Sequence, residues 1–418
     1  MSRQSQLSYE LIQLLGDPQN MEAILNTARD YLHNPIHLTD LTGKLLACSR
    51  GNSPVDPIWD GIEEKGYIDH ETYQSTCRMN VQKIRGSLSP TLITNAPGSV
   101  NLIVCGLRTP SNFRANLIVL EKNQPFCEED KNLLAITATS LSTILDECYP
   151  DSGPKIHASD YLICDLLDTP DIDSSSVAER SKIVSFYPRP PMQILTICHP
   201  GNIAAPSILN MVRSHLENLF HKCKTVVHHN RTVTILTENI FSSVTFPSCG
   251  IMPLLKKYGL TAAISIPFED LAYIYPAYMQ TVLALEYGSI IQPHQLFYHY
   301  EDYAVYRFIE ELNIQGSFCH PCIRRLQEYD TKHKTDYTRT LYAYITHFCS
   351  MRDAATAIHV HYNTLKYRLG RIIQIIDLSL EDSGTFLMLY LSFKSMELTG
   401  TVFKGDDQHE KHIPGPGQ

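Results

Sequence analysis

His361-Tyr-Asn-Thr-Leu-Lys-Tyr-Arg-Leu-Gly-Arg-Ile-Ile373, preceded by Met351-Arg-Asp-Ala-Ala-Thr-Ala-Ile358, decides how the C-terminal part of this chain folds. The two stretches read as short helices joined by a tight turn. At about 100° per residue, Leu365, Leu369, Ile372 and Ile376 fall on one narrow stripe bordered by Ile373. Thr364, Tyr367 and Arg371 fall opposite, with Lys366 and Arg368 on the flanks. Ala354, Ala355 and Ile358 offer small side chains on which such a stripe can pack closely. Two crossed helices of this kind, the second with a polar and basic outer face, have the layout of a helix-turn-helix. Arg can pair with guanine and Asn with adenine, while hydroxyls and Lys reach phosphates. Gly370 falls on the exposed side, where it either admits a phosphate backbone or is simply tolerated, at about 1 kcal/mol relative to Ala. An ordinary solvated amphipathic helix would show the same periodicity.

The bulk of the chain bounds this reading. It has 418 residues, a net charge of −9, 43% hydrophobic and 19% charged residues. That length allows two to four domains. A protein coating nucleic acid along its whole length would be basic, so any such contact must be local. Between Thr331 and Ile376 the basic residues Lys332, Lys334, Arg339, Arg352, Lys366, Arg368 and Arg371 stand against only Asp336 and Asp353. No signal peptide and no apolar run of membrane-spanning length is apparent. The 12 cysteines are scattered, as in Leu102-Ile-Val-Cys-Gly106, which suits a reducing cytoplasm.

Upstream, three further regions are expected. Residues 1–149 read as α+β: a helix over Met21–Leu32, a strand-turn-strand from Pro35 to Cys48 turning at Asp40–Gly43, strands at Leu92–Thr94, Val100–Gly106 and Asn116–Glu121, and a helix from Glu128 to about Glu147. That order resembles a GAF- or PAS-like sensor. Tyr149-Pro-Asp-Ser-Gly-Pro154 reads as a linker. Residues 155–300 read as α/β, with a strand at Met192–Cys198, a helix over Ser207–Lys222, a hairpin over Thr225–Leu236 turning at His228-His-Asn-Arg231, a strand at Ala262–Ile266 and a helix from Leu271 to Glu286. This order resembles a degenerate GGDEF-like domain. Residues 315–400 are expected to be all-α, and residues 401–418, which end Pro414-Gly-Pro-Gly-Gln418, to be a disordered tail.

The C-terminal region also resembles the helix-turn-helix of the PucR/CdaR family of bacterial transcriptional regulators. The match is carried by His320-Pro321, Leu326, Tyr329-Asp330, Thr340-Leu341, Tyr344, Ala354-Ala355, His361, Asn363-Thr364-Leu365 and Tyr367-Arg368-Leu369. The later stretch from Ile376 to Leu398 fits the closing helix of that domain. The resemblance spans about 80 residues there, and Ala262–Gly288 adds a likeness to the end of the preceding GGDEF-like domain. Family members often carry Arg after the motif His, where this chain has Tyr362, so a phosphate contact is absent or replaced by stacking or a hydroxyl bond.

Several chemistries are disfavoured. A diguanylate cyclase needs carboxylates for Mg²⁺ on its first strand and hairpin. Gln193–Cys198 has no acid, and the hairpin carries His228-His-Asn-Arg231. Cys319-His-Pro-Cys322 has CxxC spacing, with His347 and Cys349 downstream, but it reads better as a helix start with packed thiols than as zinc or redox chemistry. His359 and His361 diverge on a helix, and Asn34-Pro35 breaks any helix between His33 and His37.

These readings converge on a multidomain α+β chain that is not an enzyme and takes no cofactor or metal. It is expected to be a cytoplasmic, DNA-binding transcriptional regulator, with no membrane partner. It would bind a double-stranded operator as a homodimer or higher homo-oligomer and respond to an unidentified small-molecule effector or protein signal. The DNA-binding residues expected are Arg352, His361, Tyr362, Asn363, Thr364, Lys366, Tyr367, Arg368 and Arg371. The alternative is a ligand-sensing or protein-interaction module that does not bind DNA.

Overall fold

A computed structural model describes residues 2–49, 57–77, 88–94, 100–110, 114–148, 157–201, 205–220, 223–237, 250–311, 319–380 and 382–400. The expected linker and tail lie outside these residues. The chain is mixed α+β and divides into two units, Met1–Thr281 and Val282–Gln418. No helix among the described residues is long and apolar enough to cross a membrane.

The first unit opens with helices α1 (Arg3–Leu14) and α2 (Met21–Leu32), followed by the strand pair β1 (Ile36–Asp40) and β2 (Leu45–Cys48). Helices α3 (Pro57–Lys65) and α4 (His70–Cys77) come next, then β3 (Thr91–Ile93), β4 (Leu102–Arg108), β5 (Arg114–Leu120) and the long helix α5 (Glu128–Cys148). The five strands form one antiparallel sheet in the order β2-β1-β5-β4-β3. Alternation along its central strands explains their unbroken apolar run. Ile103, Cys105 and Leu107 of β4 and Leu117 and Val119 of β5 join the core beneath α1, α2 and α5. Leu102, Val104, Ile118 and Leu120 point the other way, against Trp59 and Ile62 of α3. On the same second face His37 stacks on Trp59 at 3.6 Å and contacts Glu63 at 2.9 Å. Burial holds its imidazole below the ordinary histidine range, against the pull of Glu63.

Helices α6 (Ala158–Asp168) and α7 (Ser174–Val184) lead into a second sheet. Its elements are β6 (Gln193–Cys198), α8 (Pro206–Leu219), β7 (Lys224–His228), β8 (Arg231–Leu236), α9 (Ile251–Tyr258) and β9 (Thr261–Ile264), before α10 (Ile274–Ile291). Strand β6 lies between β8 and β9, and β7 pairs with β8. All three pairings are antiparallel, so this region, expected as α/β, has the β-α-β-β-α-β arrangement of a split βαβ unit. The buried Thr196 and Thr281 hydroxyls, 2.6 Å apart, tie β6 to α10. Asp160 of α6 is fully buried and pairs with Arg213 of α8 at 3.0 Å and Lys224 of β7 at 2.8 Å. Burial opposes its ionisation, but these two cations outweigh it and hold the carboxyl below its usual range.

The turn between β1 and β2 is clasped by the helices of the second region. Asp40 Oδ1 accepts from the Thr42 and Lys44 amides at 2.8 and 2.9 Å, which closes the turn. Gly43 has φ +85°, and a Cβ there would meet the Ile183 side chain of α7 at 3.0 Å. Arg180 of α7, 1% exposed, donates to Thr42 Oγ1 at 2.9 Å and Asp165 Oδ2 at 2.7 Å, and lies 3.6 Å from Asp40 Oδ2. Lys44 reaches the other oxygen of Asp165, and Glu179 accepts from the His70 amide at 2.9 Å.

In the second unit, β10 (Phe297–His299) and α11 (Tyr300–Glu311) precede five helices: α12 (Pro321–His333), α13 (Tyr337–Thr346), α14 (Met351–Ala357), α15 (Tyr362–Ile376) and α16 (Ser383–Leu398). A Cβ on Gly288 would fall 2.4 Å from the Tyr298 ring, so glycine is required where the chain crosses that ring. Glu397 of α16 accepts from Tyr306 of α11 and from Tyr342 of α13 at 2.8 Å, with Lys394 3.1 Å away. Burial, reinforced by Glu397, pushes both phenols above their ordinary range, so each stays a donor.

Removing one partner of a buried ion pair leaves the other uncompensated. Arg180→Ala is therefore expected to destabilise the first unit by about 3–5 kcal/mol. Urea unfolding of the full chain, followed by Trp59 fluorescence, reads this as a lower midpoint; an unchanged midpoint would deny the clasp its role.

Candidate nucleic-acid interface

The candidate interface is built on four capped helices. His320, the N-cap of α12, accepts from the Cys322 amide through Nδ1 at 3.2 Å, and Pro321 supplies the first helical residue, where a missing N–H costs nothing. Burial pushes the Cys322 thiol up to about 11. Cys319 is half-buried, its thiol against Met396. Asp330 near the end of α12 then caps α13: its carboxylate accepts from the Tyr337 amide at 2.8 Å, the Thr338 amide at 2.7 Å and the Thr335 hydroxyl at 2.6 Å. Ser350 caps α14 by accepting from the Asp353 amide at 3.3 Å. After α14, His359 takes φ +55° and the Val360 amide bonds back to the Ala355 carbonyl at 3.0 Å, which turns the chain sharply. His361 then starts α15, its Nδ1 accepting from the Asn363 amide at 3.2 Å. That bond fixes the imidazole tautomer with its proton on Nε2.

Helix α15 buries the stripe read from the sequence: Leu365 and Ile372 are 0% exposed, Ile376 2% and Leu369 6%. They pack with Ala354 and Ala355 of α14 and Leu341 and Ile345 of α13 in one apolar core. Burial of four such side chains against small alanines fixes the rotation of the helix about its axis. The same rotation exposes His361, Tyr362, Asn363, Thr364, Lys366, Tyr367 and Arg371. Arg352 of α14 is exposed as well. Tyr367, 67% exposed, stands furthest out among the tyrosines of this helix. Among the described residues, Arg371 donates to Gln374 at 3.0 Å. Arg368 differs from the other expected contact residues: it is half-buried and donates to Thr340 Oγ1 of α13 at 3.2 Å. A 28-residue separation in sequence concealed that partner, which the helical wheel could place only as a flank.

Chemically this surface offers donors and hydroxyls at the start and along one side of a 15-residue helix. The positive dipole end of α15 favours an anion at its first turn. No acidic residue occurs within α15 to oppose one.

Residues 337–395 match the model of the PucR C-terminal helix-turn-helix domain. The C-terminal domain is a PucR-type helix-turn-helix. The match begins at α13, just after the Asp330 carboxylate that caps it, and reaches into α16. Two relatives are similar over longer stretches. The proline-responsive transcriptional activator PutR of Bacillus subtilis (strain 168) is 28% identical over 225 residues, 50% of this chain and 54% of PutR. The DNA-binding transcriptional activator AdeR of the same organism is 23% identical over 148 residues, 34% of this chain and 35% of AdeR. The chain thus spans about half the length of PutR and about a third of AdeR. A regulator of polyketide synthase expression from Bifidobacterium adolescentis has a solved structure that covers 57% of this chain and 98% of its own, at 13% identity and a TM-score of 0.27.

The residues that carry the sequence resemblance fall into two groups. His320, Asp330, Ala354, Ala355, Leu365 and Leu369 cap and pack; Asn363, Thr364 and Tyr367 face solvent. Asp330→Ala removes three bonds to a charged acceptor and is expected to cost about 1.5–3 kcal/mol of domain stability. Thermal unfolding followed by circular dichroism checks it, and an unshifted transition would show that the cap is dispensable.

Proposed function

We propose that this chain is a DNA-binding transcriptional regulator of the PucR/CdaR type, reading its operator with α15. The observation that carries the proposal is the solvent-facing set Thr364, Tyr367 and Arg371, held outward by the buried Leu365–Ile376 stripe inside a matched PucR-type domain. In this reading Arg371, Asn363 and Thr364 meet base edges or the adjacent backbone. Lys366 and Arg352 neutralise phosphates. His361 and Tyr362 sit at the helix N-terminus beside a phosphate, with the Tyr362 hydroxyl in the place of an arginine. Arg368 serves first as a brace between α15 and α13. One such helix reads only a few base pairs, so the active species is a homodimer on a two-fold site.

The antiparallel five-stranded sheet with helices on both faces supports a GAF/PAS-like sensor for the first domain, which takes up a small-molecule or protein signal. The β-α-β-β-α-β arrangement supports a GGDEF-like middle domain that transmits it. The Arg180 clasp gives those two regions a shared buried contact through which a change in one reaches the other.

Binding to duplex DNA is measured by fluorescence anisotropy on a site recovered by genome-wide mapping. Arg371→Ala should weaken specific binding by about 1–3 kcal/mol. The logarithm of the wild-type binding constant should fall linearly with the logarithm of salt concentration, by about 0.9 for each phosphate neutralised. Lys366→Ala should lower that slope by about one phosphate while weakening all sequences alike. Salt-independent or absent DNA binding by the folded chain would favour the protein-interaction reading.

A further inference from the structure

The hairpin between β7 and β8 holds a second cluster of chemical groups, away from α15. His228 is the last residue of β7, and His229 and Asn230 form the turn with φ +44° and +58°. Two successive left-handed residues make the tight turn that matches the twist of a hairpin. Asn is at ease there, whereas His at φ +44° is uncommon. Side chains next to each other on a strand ordinarily point to opposite faces. The turn cancels that divergence: the two imidazole rings lie 4.0 Å apart, tilted by 58°.

Both rings are directed at the end of α6. The Nε2 atoms of His228 and His229 lie 3.0 and 3.1 Å from the same oxygen, Oδ1 of Asp168. Among the described residues, this is the one group of three His, Cys, Asp or Glu side chains whose ligand atoms lie within 4.8 Å of one another. His228 is only 6% exposed, and its Nε2 is buried without a hydrogen-bond partner, since its contact with Asp168 falls outside hydrogen-bonding geometry. An unpaired buried donor or acceptor costs about 1–3 kcal/mol, so this atom asks for a partner. Asp168 and His229 are more than half exposed, which leaves the outer side of the cluster open. Arg231, the neighbouring cation, is bonded to the Tyr278 hydroxyl at 3.2 Å, and the Tyr278 ring stands edge-on to His228.

We propose that Asp168, His228 and His229 bind a divalent first-row transition ion, with zinc the best match. Metal–nitrogen and metal–oxygen bonds of about 2.0–2.2 Å place neighbouring ligand atoms a little over 3 Å apart, close to the two separations seen. Imidazole nitrogens favour zinc, nickel or copper over magnesium or calcium. Asp168 is also the last residue of α6, where the negative end of the helix dipole favours a cation. Three protein ligands leave at least one coordination position for water or for an oxygen or nitrogen of a second ligand. Asp165, one turn earlier on α6, pairs with Arg180 and Lys44 in the clasp. An ion joining α6 to the hairpin therefore stiffens the helix that carries the clasp, and this gives the middle domain an input of its own.

The test uses the full chain, stripped with a chelator and titrated with Co²⁺ and then Zn²⁺. Co²⁺ should bind one per chain with ligand-field bands and no thiolate-to-metal charge transfer, and Zn²⁺ should displace it. His229→Asn, which keeps a residue suited to φ > 0, and Asp168→Asn should each weaken binding by about 100-fold or more, since even outer-shell changes cost 10–100-fold. Circular dichroism identical to wild type shows that these variants fold. Absence of stoichiometric binding, binding unchanged in both variants, or a thiolate band pointing to Cys319 and Cys322 would each overturn the proposal.

Discussion

Everything on the outer face of α15 depends on one packing constraint: Leu365, Leu369, Ile372 and Ile376 must lie against α14 and α13. Each large apolar side chain buried this way contributes about 1.5–3 kcal/mol, so rotating the helix by even half a turn is prohibitively costly. The alanines at 354 and 355 let the helices approach, and Thr340 offers a polar partner to the basic residue nearest the seam, Arg368. Function then needs no separate positioning device. The residues left outside are aimed by those held inside.

The turns that join these helices are set by charge and hydrogen bonding instead. Asp330, His320, Ser350 and His361 each satisfy amides that a helix start leaves unpaired. His320 caps its helix and Cys322 packs in the core, in keeping with the reading of that stretch as a helix start with a packed thiol.

The C-terminal domain was legible because its helices are amphipathic in a simple way, and the buried stripe matched the wheel residue for residue. The first sheet was legible from strand alternation and from the Asp40–Gly43 turn. Helix α7 was not, for a physical reason: it buries Arg180 and Ser181 beside Val177 and Ile183, so its inward face carries no apolar period. Helix α1 buries only Leu7 and Leu11 within a polar stretch, and it left a similarly faint trace. The Arg368–Thr340 bond and the Asp168–His228–His229 cluster join residues 28 and about 60 positions apart, and no local pattern encodes either. The hairpin histidines were visible as a departure from metal-binding carboxylates; their third partner was not.

The central claim is that the face of α15 opposite its buried stripe lies against DNA. A photoreactive phenylalanine analogue placed at Tyr367, with the same group at exposed Tyr273 as a control, tests it on the full chain bound to its operator. The account predicts a crosslink from position 367 to defined bases within the bound half-site, and none from position 273. Bound protein that gives no crosslink from position 367 would contradict it.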